Sequence, residues 1–265
     1  MSVSDARDRT SQGASLSVAS HQLYLLTLGE FAYPNPAFGA PERAPITAYL
    51  IRSSKGHNIL VDSGAPAKLI GASDSNPWSP GAATFITPDD DILVKLDKLG
   101  LRPRDISLLV TSHFDWEHCG RHEVFAEAGT SVLVQESHFN HALAHPERYD
   151  PALFQFDNWN YQLIDGDAEI ERGIVLLETS GEAIGHQSVF VNTANGPVLL
   201  PIDAEPWISI PQTREFPDWT EDTGEANESI EKLLEFALDY RAYTIFGHEP
   251  NQWSTLPAAP RPFNR

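Results

Sequence analysis

Cysteine is nearly missing from this chain. Cys119 is the only one in 265 residues, so no intrachain disulfide can form and bridges give no reading of the redox compartment. Basic residues are scarce as well, 18 Lys and Arg against 37 Asp and Glu, for a formal charge of −19. That balance argues against a nucleic-acid backbone or an anionic membrane surface as partner and is in keeping with solubility. Long apolar runs are lacking too, since no window approaches the roughly 20 apolar residues a spanning helix needs. Residues 1–18 are Ser-rich, mixed in charge and without an apolar run, which is the composition of a disordered tail and of neither a signal peptide nor a membrane anchor. The expectation is a cytoplasmic protein with a tail over 1–18 and one domain over 19–265, long enough to bury about 70 to 75% of its unfolded surface.

What the chain does contain is a dense cluster of coordinating side chains. Leu108, Leu109 and Val110 read as the end of a buried strand, and His113, Asp115, Glu117 and His118 follow within six positions. Alternate residues of an extended segment point the same way, so His113, Asp115 and Glu117 can converge while a tightening turn swings His118 toward them. Cys119 sits beside this cluster and reads as a small packing residue rather than a ligand.

The rest of the chain alternates strand and helix patterns. His21 to Leu28, Ala48 to Ile51, Ile59 to Asp62, Ile106 to Val110 and Ser131 to Gln135 read as strands. So do Ile174 to Glu178, Val189 to Asn192, Val198 to Ile202 and Ala242 to Phe246, with Asn195-Gly196 as a hairpin turn. Thr87-Pro88 and three aspartates open a helix whose apolar face is Ile92, Leu93, Leu96 and Leu99. Glu136 to Ala144 and the stretch around Ile230, Leu233 and Leu234 are also helical. His138, His141 and His145 share one side of the former, which reads as a solvated or lid-facing surface. The segment from Gly29 to Pro45 is too rich in Gly and Pro for helix or strand. Its Phe31, Tyr33 and Phe38 are either a wall for an apolar or aromatic substrate or the anchors of an ordinary loop. Tyr149, Phe154, Phe156, Trp159 and Tyr161 crowd a second window, as substrate contacts or as core. Asp62, at a strand end before Ser-Gly, is on its own a turn former.

His113-Phe-Asp115-Trp-Glu117-His118 resembles the H-x-H-x-D-H motif of the metallo-β-lactamase fold superfamily. Gly181-Glu182-Ala-Ile-Gly185-His186-Gln187-Ser188, the strand ending at Asp203, and Gly247-His248 resemble later markers of its lactonase branch, with the N-acyl-homoserine lactonases and pyridoxolactonases as the nearest subgroup. Together with the hairpin before Asp62 the likeness spans roughly residues 21 to 255. It implies an α/β fold of the αββα sandwich type and a dinuclear site: His113, Asp115 and Glu182 on one ion, Glu117, His118 and His248 on the other, Asp203 bridging. It also implies Asp203 and Glu117 as the catalytic carboxylates, and supporting roles for Asp62 and His186.

Three positions depart from that pattern. Asp115 and Glu182 stand where histidines are expected, and Glu117 replaces an Asp. Zinc is what the resemblance implies, but four carboxylates facing two divalent cations shift preference toward manganese or iron and make coordinated water less acidic. Pro206 stands where such lactonases carry a substrate-facing Tyr, and Trp207 beside it is a further pocket candidate. The expected activity is hydrolysis by a metal-bound hydroxide of a lactone, an ester or a related activated apolar or aromatic small molecule. Two alternatives stand beside it: a non-catalytic binding or partner subunit of the same fold, and a di-iron oxidoreductase-like site, since the second-position carboxylate is similar to that of the flavodiiron proteins. The partner is a small molecule, with homo- or hetero-oligomerisation left open.

Overall fold

The structure is a computed structural model and describes residues 21–32, 43–72, 76–157 and 159–264. The expected tail over 1–18 and the loop aromatics Tyr33 and Phe38 lie outside the described residues. One sheet has seven strands, β1 (Gln22–Ala32), β2 (Ala44–Arg52), β3 (Asn58–Val61), β4 (Ala83–Phe85), β5 (Leu108–Val110), β6 (Val132–Gln135) and β7 (Tyr161–Ile164), in the order β4-β1-β2-β3-β5-β6-β7. The other has β8 (Ala168–Glu171), β9 (Ile174–Glu178), β10 (Gln187–Thr193), β11 (Gly196–Ile202) and β12 (Tyr243–Phe246), in the order β12-β11-β10-β9-β8.

Side chains alternate across a strand, and that period sorts the apolar residues into layers. In β1, Leu23 and Leu25 meet Val189, Val191, Val198 and Leu200 of the opposite sheet, and this is the central core. Their neighbours Tyr24, Leu26 and Leu28 point to the other face. There they are covered by α1 (Ile92–Lys98), α2 (Trp116–Cys119), α3 (His122–Glu127) and α4 (Glu136–Ala144), which contribute Ile92, Leu96, Trp116, Phe125 and Ala142. Phe190, between two inward valines of β10, packs outward with Leu233 and Phe236. These two belong to α6 (Thr223–Tyr240), which follows the short α5 (Ile210–Thr213) and precedes α7 (Pro250–Trp253). The Asp222 side chain caps α6 by accepting from the Gly224 and Glu225 amides, and Ala226, Ser229, Ile230 and Leu233 form its buried stripe. The layers therefore run helix, sheet, sheet, helix, the expected αββα sandwich.

Local departures from the sequence reading have local causes. The segment after Leu28 does not break into a loop at Gly29. Instead β1 shifts register between Thr27 and Glu30, with Gly29 at φ +105°, and goes on to pair with β4. A bulge of this kind uses the backbone freedom of glycine that looked like a strand stop. Thr87 and Pro88 open a single 3-10 turn, Pro88–Asp90, and α1 starts afresh with Asp91 as its cap. The β10–β11 turn is centred on Ala194-Asn195, because Thr193 pairs with Gly196. Strands β7 and β8 carried no clear signal, since their residues are mostly half-buried or exposed.

Leu200 is fully buried between the sheets, whereas Leu238 on α6 is 78% exposed. Leu200→Ala is expected to lower the unfolding free energy by about 2 to 5 kcal/mol. Leu238→Ala should stay within about 0.5 kcal/mol of the wild type. Urea unfolding of the two variants is the measurement, and equal effects would contradict the layer assignment.

Candidate metal centre

The ends of parallel strands bring the polar residues together. Strands β3 and β5 run parallel, as do β11 and β12. Asp62 follows β3, the His113 to His118 run follows β5, Asp203 follows β11, and His248 lies just beyond β12. Glu182 comes from the loop between β9 and β10. Two of these turns are strained: Asp62 has φ 60° and the β-branched Ile202, just before Asp203, has φ 56°. Left-handed backbone is disfavoured for such a side chain, and it persists where the surroundings over-determine it. Here Gly247 fits against Ile202, where a Cβ would come within 2.5 Å of the Ile202 carbonyl oxygen.

Each histidine ring is held by its Nδ1 so that Nε2 faces inward. His118 Nδ1 donates to Asp62 Oδ2 at 2.9 Å, and His248 Nδ1 donates to the Pro45 carbonyl at 2.7 Å. Ser112 donates to both Asp62 oxygens, from its amide and its hydroxyl, so its oxygen is left to accept from His113 Nδ1 at 3.0 Å. Around Asp203 the inward atoms gather. Its Oδ1 lies 3.5 Å from His118 Nε2 and 3.0 Å from His248 Nε2, and its Oδ2 lies 3.9 Å from His113 Nε2. His113 Nε2 is also 3.7 Å from Glu182 Oε2 and 3.5 Å from Asp115 Oδ2.

His248 Nε2 also meets Asp203 Oδ2 in a long hydrogen bond of 3.3 Å, and the other approaches are ionic contacts without hydrogen-bond geometry. His113 Nε2, Glu117 Oε2, His118 Nε2, Glu182 Oε2 and Asp203 Oδ1 are all buried and make no hydrogen bond. Five such atoms in one place are costly unless something binds them. Ligand atoms bound tetrahedrally at zinc distances lie about 3.4 Å apart, close to the spacings observed. Two groups have the proximity a metal requires: Glu117, His118, Asp203 and His248, and His113, Glu182 and Asp203. The donor set fits a divalent cation in each, with Asp203 shared.

Electrostatics in the metal-free protein reflect the same crowding. Burial pushes the Glu117 carboxyl up to about 7, the pull of His118 being opposed by Asp115 and Asp203. Burial also raises Glu182 well above the carboxylate range despite Arg148. Burial works against a charged Asp203 too, but His248 and His118 outweigh it and hold that carboxyl well below its ordinary value. Both rings are raised in return, Asp203 overcoming the effect of their burial.

Arg148 is the residue that the sequence reading missed. Its Nε and Nη2 donate to the two oxygens of Asp115 at 3.1 and 2.7 Å, and Nη2 also reaches Glu182 Oε1 at 2.7 Å. Asp115, expected as a full ligand, belongs to neither metal-competent group and is instead held in this fork. Four carboxylates would just balance two dications, and the guanidinium tips that sum to a net positive charge. The available signal was a charge mismatch: two histidines exchanged for carboxylates at one ion call for a nearby cation.

Other candidates are redistributed by packing. Phe31 borders a cavity of about 600 Å³ above the site, with Trp78, Trp116, Glu117, Asp203 and Trp219 also on its walls. Phe154, Phe156, Trp159 and Trp207 do not border it. Phe154 stacks on Phe114 at 4.3 Å, Trp159 donates to the Thr130 carbonyl and packs on Phe156, and Trp207 is buried with Ile210 and Ile230. Apolar rings without a clean period are sorted between wall and core only by the loops that carry them. His186 is buried; its Nε2 accepts from the Asp203 amide at 3.3 Å and Nδ1 meets Thr179 Oγ1, so it supports the backbone of Asp203 and no ligand side chain. His138 is buried, not solvated, and ties the Phe114 amide to the Ile184 carbonyl. Cys119 is buried, its thiol donating to the Phe114 carbonyl.

The sandwich, the loops at its strand ends and the two ligand groups define a class, and the sequence agrees. The chain belongs to the metallo-beta-lactamase superfamily, whose sequence model matches residues 42–248. It is 32% identical over 212 residues to an N-acyl homoserine lactonase of a Bacillus species, covering 78% of this chain and 82% of that protein. It is also 32% identical, over 217 residues and with the same coverage, to the N-acyl homoserine lactonase AiiA of Bacillus thuringiensis subsp. kurstaki. A solved N-acyl homoserine lactone hydrolase, with the product N-hexanoyl-L-homoserine bound at its catalytic metal centre, is similar with a TM-score of 0.82 at 27% identity, covering 93% of this chain and all of that one.

Because ligands must shed their protons to coordinate, uptake of Zn2+ by the metal-free protein is expected to release protons. Burial holds the Glu117 carboxyl up to about 7, and Asp203, outweighing burial, raises the His118 and His248 rings, so affinity should fall as pH drops through about 7 and should still be rising above it while those rings lose their protons. Calorimetry in buffers of different ionisation enthalpy measures the release, and uptake without it would contradict the assignment of Glu117, His118 and His248 as ligands.

Proposed function

We propose that the protein is a dinuclear metal-dependent hydrolase that opens a lactone or cleaves a related activated ester, with N-acyl homoserine lactones as the leading class. The observation that carries this reading is the set of five buried, inward-facing donor atoms without hydrogen bonds, two of whose residues, Glu117 and Asp203, border an aromatic-walled cavity. The activity of the relatives adds the substrate class.

Glu117, His118, Asp203 and His248 would hold one ion, and His113, Glu182 and Asp203 the other. When bound, such ions lower the pKa of coordinated water and polarise a carbonyl oxygen, which is the chemistry that lactone opening needs. No serine or cysteine nucleophile is required, and Cys119 is buried away from the cavity.

The chain's own side chains supply orientation. Asp62 and the Pro45 carbonyl fix the rings of His118 and His248, so that both present Nε2 to Asp203. Phe31, Trp78, Trp116 and Trp219 offer an apolar wall suited to an acyl or aryl group. The same cavity is lined by Glu147, Asp218 and Glu221. The carboxylate-rich ligand set keeps manganese or iron beside zinc as the working ion.

Chelator-treated protein reconstituted with Zn2+, Mn2+ or Fe2+ is expected to hydrolyse N-hexanoyl homoserine lactone in a pH-stat assay, and chelation should abolish turnover. Asp62→Ala, which frees the His118 ring, should reduce metal affinity or kcat/KM roughly 10- to 100-fold. Turnover that survives full metal removal, or none of any lactone or aryl ester with any of the three ions, would refute the proposal.

A further inference from the structure

We propose that Arg148 makes the two metal subsites unequal, weakening the His113 side so that it holds its cation far less tightly than the His118 side. This inference rests on reading the site as a centre for divalent cations.

The two sides differ in what they have to offer. Glu117, His118, Asp203 and His248 bring four ligand atoms within 4.8 Å of one another, while the other group brings three, one of which is the shared Asp203. Its natural fourth member is Asp115, whose Oδ2 lies 3.5 Å from His113 Nε2. Both Asp115 oxygens already accept from Arg148, and a bidentate guanidinium–carboxylate pair is among the strongest side-chain hydrogen bonds. Glu182 is divided: Oε1 accepts from Arg148 Nη2 at 2.7 Å, and only Oε2 is left without a partner.

Arg148 is not free to withdraw. Its Nη1 donates to the Trp219 carbonyl at 2.8 Å and the Glu182 carbonyl at 3.2 Å, and Glu221 Oε1 lies 3.5 Å away. Backbone and side-chain acceptors thus fix the guanidinium beside the His113 group. A carboxylate oxygen has lone pairs enough for both a guanidinium and a cation, so the fork does not block coordination by shape. It acts through charge: the carboxylates next to His113 are already compensated, and a cation arriving there meets a fixed positive neighbour. The His118 side has no such neighbour, since among the described residues no arginine or lysine contact to Glu117, His118 or His248 is found. Arg148 is in this sense a positioning residue that supplies part of the charge a second ion would bring.

The test is a Zn2+ titration of chelator-stripped, full-length protein against a chromophoric chelator, with Co2+ absorption spectra as a second readout. Wild-type protein should bind one ion roughly a hundredfold more tightly than the other. Arg148→Met should tighten the weaker site at least about tenfold and leave the stronger one nearly unchanged. Arg148→Lys keeps the charge but loses the fork, and should fall between the two. Should Arg148→Met fail to fold, the wild-type affinities and Arg148→Lys decide. Two sites of equal affinity in the wild type, or variants that leave the ratio unchanged or weaken the second site, would overturn the proposal. Binding of no ion at all would instead remove the hydrolase reading and this inference together.

Discussion

Carboxylates gathered in one buried place repel one another, and the architecture around this centre answers that repulsion. Asp62, Asp115, Glu117, Glu182 and Asp203 converge with little access to water, at effective dielectrics where like charges are expensive. The compensation is distributed unevenly. Asp62 is satisfied by Ser112 and His118, Asp115 by the fork of Arg148, and Glu182 by the same guanidinium on one oxygen only. Glu117 and Asp203 keep inward oxygens without hydrogen bonds, and there a divalent cation is the natural complement.

The fold makes such a concentration tolerable by placing it where backbone is already committed elsewhere. Two sheets sharing one apolar core hold the strand ends rigidly, and loops of a few residues lead from those ends into the centre. Strain at Asp62 and Ile202 is confined to these turns, immediately before or at the residues that need aiming. His138 and His186 are absorbed in the same task, bracing the loop backbones of Phe114, Ile184 and Asp203 instead of meeting a ligand. The centre is thus as much a set of braced loops as a set of donors.

Much of this was legible beforehand for a definite reason. Most of the strands announced themselves as short apolar runs, and the layered sandwich was what the family resemblance implied; the face each side chain of β1 takes, Leu23 and Leu25 inward and Tyr24 and Leu26 outward, came from the structure. The ligand run from His113 to His118 is local in sequence, and its spacing alone suggested convergence. What escaped was non-local. Arg148 lies 33 residues from Asp115 and 34 from Glu182, with no periodicity connecting them. For the aromatic residues Phe154, Phe156 and Trp159 composition left substrate contact and core packing open; the loop that carries them turns inward onto Phe114 and Thr130, while Trp78 and Trp219 face the cavity.

The order of the chain by itself determined most of the element types and the local run of donors from His113 to His118, because each depends on repeats only a few residues long, while the sandwich and the distant donors Glu182, Asp203 and His248 were legible through the family resemblance. Which donors remain available to a cation was decided in three dimensions. Availability is settled by competition among partners, and the winning partner of Asp115 is a guanidinium brought in from a distant segment. No local pattern can report that contact, since its energy exists only once the two segments share a buried, poorly solvated space.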